Sequence, residues 1–365
     1  MSVGKSIRKS TFLSLILCVA SGLAFSQETK SAPTSPMAQT DLQSASSHFS
    51  FVRAFSSASD VRGSHPVLDR TLDIVAGPAD TSVRTDVLQS PSAVTTDSTH
   101  RVFVADPDAR NVHIFDFSHA KYSLLDKAGD RLNTPVALAT DDRDNLFVID
   151  QSSRSILIYG SSGKFRGYLG KLGRDESYFD TPVGIAIDKT THRVYVCDLR
   201  RNMILIMDSR GRPVAKVGKR SGGDRPGEFK QPSQLVVSGN ELFVLDAGNN
   251  RIQILDTAGH FLRAIKLVYA DRHTGLAVDG RGIIYVSDPS LNRIQVFPRE
   301  GQAPYSFDPG ALKGANATRA AGMWIDSGHC LYLVDSQSNR ILLLQITLPE
   351  VRLPQIKNEN MSQCQ

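Results

Sequence analysis

The stretch from His273 to Phe297 reads HTGLAVDGRGIIYVSDPSLNRIQVF, and it indicates the fold most clearly. It holds three short segments, LAVD, IIYVSD and RIQVF, that are rich in apolar, β-branched and aromatic residues. Glycine, proline, serine and asparagine separate these segments, and such residues favour turns. Short segments of this composition predict β-strands rather than helices. The stretch therefore predicts three antiparallel strands joined by hairpins.

The same pattern occurs six times along the chain. The units begin at Pro91, Pro135, Pro182, Pro232, His273 and Ala320, so that they advance by 41 to 50 residues. Each second strand ends in an aspartate, and an aromatic residue stands three places before it. A fourth strand follows in several units, for example at Lys164–Gly170. Four antiparallel strands in units of this length are typical of propeller blades. The sequence predicts an all-β fold, a six-bladed β-propeller.

The last unit lacks a fourth strand of its own. After the third strand, Leu342–Thr347, come Pro349 and a polar tail. Thr71–Gly77 (TLDIVAG) precedes the first unit by the kind of loop that joins a fourth strand to the next blade. We expect this N-terminal strand to pair into the last blade, because closure of the ring removes two open sheet edges.

The N-terminus has the pattern of an export signal. Three basic residues, Lys5, Arg8 and Lys9, precede an uncharged apolar run, and Ala24 and Ser26 then provide a small-residue cleavage site. The run is shorter than the roughly 20 residues of a membrane span, although retention as an anchor is the alternative. We therefore expect a periplasmic or secreted protein with no transmembrane span after cleavage.

Composition divides the rest of the chain. We predict a signal peptide at 1–26, a disordered linker rich in serine, alanine and threonine at 27–65, the propeller at 66–350 and a polar C-terminal tail at 351–365. The linker contains few large apolar residues and cannot bury enough surface to offset its ordering entropy. Its apolar run Phe49–Val52 is not assigned any structure.

Charge and cysteine content exclude several classes of protein. Without the signal, 39 lysines and arginines face 37 acidic residues, so the concentrated basic face of a nucleic-acid binder is not expected. Three cysteines would remain, Cys197, Cys330 and Cys364, and an odd number argues against a disulfide framework. The absence of a CxxC pair excludes zinc-ribbon and RING modules.

The repeat resembles that of the NHL family. The resemblance rests on Pro182–Asp208 and His273–Phe297, with Asn250–Gln253 and Asn292–Gln295 (both NRIQ) as signature pieces, and it covers roughly residues 70–350. It implies a six-bladed propeller of the bacterial exported type. Members act as enzymes, sensors, RNA binders and protein-interaction platforms, so the resemblance does not assign a function.

Residues that recur in every blade are interpreted as architecture. The aspartates that end the second strands can accept backbone N–H groups at hairpin corners. The recurrent arginines, Arg251, Arg293 and Arg340, suggest ion pairs within or between blades. Function is therefore expected where one blade departs from the pattern.

Two groups of residues meet that condition. The channel-mouth candidates occupy or adjoin positions that are proline or small in the other units, and they are His273, Gln234, Arg272, Arg319 and Trp324. Trp324 could alternatively fill space where the ring closes. The rim-loop candidates lie in the polar loop between the third and fourth units, and they are Arg220, Asp224, Arg225 and Glu228.

The function expected from these features is non-enzymatic binding of a protein, peptide or glycan in the envelope or outside the cell, by a monomeric propeller. No nucleic-acid partner, no metal and no cofactor are expected. The alternative is a metal-dependent lyase or hydrolase at the central channel. The resemblance implies zinc held by channel histidines for a peptidyl-hydroxyglycine lyase-like enzyme, and calcium for a gluconolactonase-like one. Of the histidines, His273 alone stands at a channel-facing repeat position.

Overall fold

Six four-stranded antiparallel sheets form the fold in the computed structural model, which describes residues 48–62, 86–125, 132–170, 179–271, 273–298 and 303–347. Each sheet is one blade, numbered in chain order by its first strand. The predicted six-bladed, all-β propeller is confirmed. In each blade the strand order follows the chain from the first to the fourth strand, except in blade 6, where the fourth strand is N-terminal.

Every blade consists of a first, second, third and fourth strand. In that order, the strands are β2 (Ala93–Thr96), β3 (Val102–Asp106), β4 (Asn111–Asp116) and β5 (Lys121–Leu124) in blade 1; β6 (Pro135–Thr140), β7 (Leu146–Asp150), β8 (Ser155–Tyr159) and β9 (Phe165–Leu169) in blade 2; β10 (Pro182–Ile187), β11 (Val194–Asp198), β12 (Met203–Met207) and β13 (Pro213–Gly218) in blade 3; β14 (Pro232–Ser238), β15 (Glu241–Asp246), β16 (Arg251–Asp256) and β17 (Phe261–Lys266) in blade 4; β18 (Leu276–Val278), β19 (Ile284–Asp288), β20 (Arg293–Phe297) and β21 (Tyr305–Phe307) in blade 5; and β22 (Ala320–Ile325), β23 (Cys330–Asp335), β24 (Arg340–Ile346) and β1 (Phe49–Phe55) in blade 6.

Helical structure in these ranges is limited to three short turns. They are the helix α1 (Ser59–Arg62) and the 3-10 turns Ala247–Asn249 and Pro309–Ala311. Val61 of α1 is buried in the apolar layer between blades 6 and 1. The chain that leaves the closing strand therefore continues over blade 1.

The first strands line the centre of the ring. Each contacts the first strand of the next blade, and β22 of blade 6 contacts β2 of blade 1, so the cycle closes. Apolar side chains fill the layers between neighbouring blades; Ile149 of blade 2 and Val196 of blade 3 are fully buried in one such layer. Burial of apolar surface, at roughly 25 cal/mol per Å², thus holds each blade to the next.

Antiparallel order divides the loops between two faces. We name the upper face as the one formed by the loops that lead into each first strand and by the hairpins between second and third strands. The lower face carries the hairpins between first and second strands and between third and fourth strands.

The strand that closes the ring is not the predicted one. β1 pairs with β24 along its whole length, from Phe49 opposite Ile346 to Phe55 opposite Ile341. The proposal of Thr71–Gly77 for this position is wrong, although that segment itself lies outside the described residues. β1 also falls within the range 27–65 that was predicted as linker, so the propeller begins before residue 66. The prediction that an N-terminal strand closes the last blade is confirmed.

Aromatic side chains explain why Phe49–Phe55 takes this position. The ring of Phe49 stacks on Phe307 of blade 5 with centroids 3.9 Å apart. The ring of Phe55 lies 4.9 Å from Phe115 of blade 1. Each buried aromatic ring contributes a large apolar area, and these two anchor the strand to the blades on either side.

The repeated aspartates hold the loops of the upper face. Asp198 accepts hydrogen bonds from the backbone N–H groups of Asp180 and Thr181, at 2.6 and 3.1 Å, in the loop that leads into its blade. The equivalent contact occurs in four further blades, at Asp106, Asp150, Asp246 and Asp335. Their interpretation as architectural residues is confirmed for these five blades.

In blades 4 and 6 the repeated arginine also binds the loop that leads into its blade. Arg340 pairs with Asp335 and donates to the carbonyl oxygens of Ala315 and Asn316, at 3.0 and 2.6 Å. Arg251 pairs with Asp246 in the same way. Each arginine therefore ties the incoming loop to the aspartate of its own blade.

Blade 1 carries a buried histidine at the position that Gln253 occupies in blade 4. His113 is fully buried, with its Nδ1 2.8 Å from the Tyr122 hydroxyl and its Nε2 3.6 Å from an oxygen of Asp106. Asp86 of the incoming loop and Arg62 of α1 are the further charged groups that act on this pair. Burial raises the pKa of Tyr122.

Acidification is expected to destabilise the protein through His113. Burial lowers the pKa of His113, and it outweighs the opposing effects of Asp106 and Asp86. The folded state then binds a proton less readily than the unfolded state, so stability is lost as the pH falls below the ordinary histidine pKa of about 6.5. His113→Gln, which introduces the residue of blade 4, should reduce the fall in melting temperature between about pH 7.5 and pH 5. Parallel pH profiles for the two proteins would exclude His113 as the titrating group.

Candidate functional site

Blade 5 departs from the repeat at its upper end. It opens with His273 where four blades have proline, and its first strand β18 has only three residues. The carboxylate of Asp288 bonds Ser290 and the N–H of Leu291 in its own turn, rather than the incoming loop in the described part of the chain. Arg293 is exposed. Within the described residues, Arg293 therefore does not make the contact that Arg251 and Arg340 make in blades 4 and 6.

Three apolar or aromatic side chains are exposed at this place. Val268 and Tyr269, in the loop that leads into blade 5, are 92% and 40% exposed, and Leu291, in the upper hairpin of the same blade, is 63% exposed. Both segments belong to the upper face of blade 5, and the Asp288 carboxylate at the base of the hairpin acts on the Tyr269 hydroxyl of the incoming loop. We call these three exposed residues the blade-5 patch (Val268, Tyr269 and Leu291).

Asp271 organises the loop that carries the patch. One carboxylate oxygen accepts a hydrogen bond from the His273 N–H at 2.7 Å, and the other accepts one from the Tyr269 hydroxyl at 3.1 Å. The Asp271 N–H in turn donates to the hydroxyl of Thr274 at 3.0 Å. These bonds hold the loop in a defined conformation.

Charged side chains border the blade-5 patch. The hydrogen bond to Asp271 is the main cause that raises the pKa of Tyr269; the carboxylates of Asp271 and Asp288 act in the same direction, and Arg319 opposes them. Arg319 and His273 are both exposed. The surface therefore combines an apolar centre with cationic and anionic groups at its edge, the usual arrangement of a protein interface.

Two of the predicted channel-mouth residues bridge neighbouring blades. The Gln234 side-chain oxygen accepts a hydrogen bond from the Leu276 N–H at 2.9 Å, which links blades 4 and 5. The Trp324 indole N–H donates to the Thr96 hydroxyl at 2.9 Å, which links blades 6 and 1. The tryptophan thus lies where the ring closes, as its alternative interpretation proposed. Arg272 lies outside the described residues, while His273 and Arg319 lie beside the blade-5 patch.

The predicted rim-loop residues lie on the upper face between blades 3 and 4. Arg220, Asp224 and Arg225 are exposed, whereas Glu228 is half-buried and pairs with Lys219 at 2.6 Å. Both this loop and the blade-5 patch belong to the upper face, although they serve different blades.

The described residues contain no ready set of metal ligands. No group of three or more histidine, cysteine, aspartate or glutamate side chains is placed there to hold an ion. Cys197 and Cys330 are both free thiols, and burial raises the pKa of each. The same ranges contain no helix with the length and hydropathy of a membrane span.

The fold is that of a six-bladed β-propeller, and three of the exposed large hydrophobic side chains of the described residues lie on the upper loops of blade 5. A family model described as a 6-bladed beta-propeller matches residues 180–295. The chain is 26% identical to the protein brain tumor of Drosophila melanogaster over 142 residues, 38% of this chain and 13% of that protein. It is 33% identical to the peptidyl-glycine alpha-amidating monooxygenase of Mus musculus over 100 residues, 26% of this chain and 10% of that protein. It therefore spans 10 to 13% of the length of these relatives.

Solved structures share the fold at low sequence identity. A streptogramin B lyase structure superposes with a TM-score of 0.54 and 14% identity, over 73% of this chain and 96% of that one. A protein of unknown function from Bacteroides thetaiotaomicron superposes with a TM-score of 0.54 and 13% identity, over 74% and 73% of the two chains. Likeness at this identity supports the propeller architecture alone.

The blade-5 patch was missed by the sequence reasoning. Its signal was weak: Leu291 interrupts a polar turn, and Val268-Tyr269 follows a fourth strand that is already apolar. Such residues are equally compatible with the continuation of a strand, and only their exposure distinguishes them.

Proposed function

We propose that this chain is a non-enzymatic binding propeller that holds a protein or peptide partner on the upper face of blade 5. We further propose that it is an NHL-type propeller and that it works in the periplasm or outside the cell. The observation that carries the binding proposal is the exposure of Val268, Tyr269 and Leu291 on the upper loops of blade 5.

The composition of the surface supports this choice. Tyrosine and arginine are enriched at protein interfaces, and here the exposed Tyr269 lies within electrostatic reach of the exposed Arg319. The other large hydrophobic side chains exposed in the described ranges lie on outermost strands, at Val52, Tyr168, Val214 and Leu262. An apolar surface on loops that are held by side-chain hydrogen bonds suits recognition better than one dispersed over sheet edges.

Substitution of the patch tests the proposal directly. Peptides are selected from a displayed random library on the full chain, and their affinities are measured for the parent and for the variant Val268→Ser, Leu291→Ser. We expect a loss of at least about tenfold, because each aliphatic side chain removed from an interface forfeits roughly 1.5 kcal/mol or more.

A matched variant controls for a general loss of surface hydrophobicity. Val214→Ser, Leu262→Ser replaces residues of the same types that are 53% and 49% exposed on β13 and β17. Its peptide affinities should equal those of the parent. Equal losses in both variants, or none in either, would refute binding at blade 5.

The alternative is a metal-dependent lyase or hydrolase at the channel. Partial similarity to the amidating monooxygenase supports asking whether the chain acts on peptides with a C-terminal hydroxyglycine. Zinc and calcium content of the purified protein and turnover of such peptides and of lactones separate the two proposals. Stoichiometric metal together with turnover would replace the binding proposal by the enzymatic one.

A further inference from the structure

The loop between blades 3 and 4 has a backbone held by side chains of both blades. Arg251 donates to the carbonyl oxygens of Asp224, Arg225 and Glu228, at 2.6, 3.2 and 2.9 Å. Gln253 donates to the same Glu228 oxygen at 2.6 Å, and its own side-chain oxygen accepts the N–H of Gly227. The loop is therefore a rigid part of the upper face.

The same loop is tied on its other side to blade 3. The Asn202 side chain donates to the Arg220 carbonyl oxygen at 3.1 Å and accepts the N–H of Gln231 at 2.8 Å. Asn202 ends the upper hairpin of blade 3, and Arg200 lies two residues before it in that hairpin. The backbone oxygens of Arg220 and Arg225 are thus bound to blades 3 and 4, and the residues Arg200, Arg220 and Arg225 are all exposed.

Basic residues outnumber acidic ones in this part of the upper face by a larger ratio than in the whole chain. The upper-face segments 199–202 and 219–231 contain six lysines and arginines against two acidic residues, Asp224 and Glu228. The half-buried Glu228 is matched by Lys219 at 2.6 Å. We call Arg200, Arg220 and Arg225 the basic rim.

We propose that the basic rim binds an acidic segment of the protein partner that docks on the blade-5 patch. The inference rests on the proposed function, since it assigns the chemistry of the partner at a second place on the same face. Guanidinium groups suit carboxylates because they offer paired donors and are weakly hydrated. A loop that is already fixed presents them at little entropic cost.

The location of the basic rim on the same face as the blade-5 patch favours an acidic protein segment over other anions. The basic rim and the blade-5 patch both lie on the upper face, and two of the three residues of each lie on the loops that lead into blades 4 and 5. A single chain that lies across the mouth would meet an apolar surface and then a cationic one. Charges of this kind, exposed at an edge, chiefly raise the association rate and select the partner.

The test uses selection on the full chain, with three proteins side by side. The parent is compared with Arg200→Gln, Arg220→Gln, Arg225→Gln and with a control, Lys164→Gln, Lys189→Gln, Arg210→Gln. The control removes three exposed cations from lower-face hairpins, so that its net charge equals that of the first variant. Displayed random peptides are selected on each protein at low salt, and thermal melts establish that all three are folded.

We expect peptides selected on the parent and on the control to combine an apolar residue with clustered aspartate or glutamate. On the basic-rim variant the acidic enrichment should disappear while the apolar residue remains. The affinity of a parent-selected acidic peptide should fall by about tenfold in that variant, and its dependence on salt should weaken.

The other outcomes separate the two proposals. Acidic peptides retained by the basic-rim variant, or apolar peptides without acidic residues on the parent, would overturn this inference and leave the blade-5 patch in place. If the peptides selected on the parent show no apolar preference that depends on Val268 and Leu291, the proposed function is overturned instead. If anionic phospholipid vesicles bind through the same three arginines and no acidic peptides are selected, the surface is a lipid site and the inference fails.

Discussion

Phe55→Ala in the closing strand is expected to destabilise the propeller by about 3–5 kcal/mol, the usual cost of truncating a buried phenylalanine. Its ring is almost fully buried and lies 4.9 and 5.0 Å from the rings of Phe115 and Phe117 in blade 1. The loss would leave a cavity at the contact between the first and last blades. Thermal and denaturant unfolding measure the loss of stability. Val52→Ala in the same strand, at a residue that is 48% exposed, should change stability by less than about 0.5 kcal/mol.

Deletion of residues 1–56 removes the whole of β1 and tests whether this strand is needed to close the ring. Without β1, the backbone groups of β24 that pair with it lose their partners, and an open edge of this length invites association between molecules. We expect a lower melting temperature and aggregation on size-exclusion chromatography, whereas deletion of residues 1–47 should leave both unchanged. If the two deletions behave alike, another segment, such as 71–77, is able to close the ring.

Asp246→Ala is expected to have the second large effect, again about 3–5 kcal/mol, because it removes one partner of a buried ion pair. The carboxylate is fully buried and accepts hydrogen bonds from the Lys230 N–H at 2.7 Å, from Arg251 and Asn249 at 2.8 Å each, and from Gln253 at 3.1 Å. Its loss leaves several donors without their acceptor, and each unsatisfied buried group costs free energy.

The same substitution should also release the loop between blades 3 and 4. Amide hydrogen exchange in residues 219–231 is expected to accelerate. Arg251 and Gln253 both donate to Asp246, and both also donate to the Glu228 carbonyl oxygen of that loop. Asp256→Ala is the control: this carboxylate accepts the N–H groups of Ala258 and His260 and contacts the exposed His260 imidazole, so only contacts within a lower-face turn are lost. A destabilisation no greater than that of the control would show that Asp246 is not a structural centre.

Most of the architecture could be predicted because it is repeated. Six copies of one strand pattern supply six separate indications of the same register, and the second-strand aspartates recur for a local reason, the capture of nearby backbone N–H groups. His273 and Arg319 could be singled out in the same way, as departures from a repeat.

The closing strand could not be chosen in this way. Phe49–Phe55 and Thr71–Gly77 are both short apolar segments before the first blade. The choice depends on contacts with Phe307 and Phe115, which are far away in the sequence and come near only when the ring has formed.

Local pattern was enough to predict the number of blades, most of the strands within them and the architectural role of the repeated aspartates, because these features depend on neighbours in the same blade. The identity of the closing strand and the set of side chains left uncovered depend instead on tertiary contacts. Val268 and Leu291 are apolar like many core residues, and their exposure on one face follows from the shape of the assembled blades. The candidate site is therefore a property of the ring and not of any single repeat.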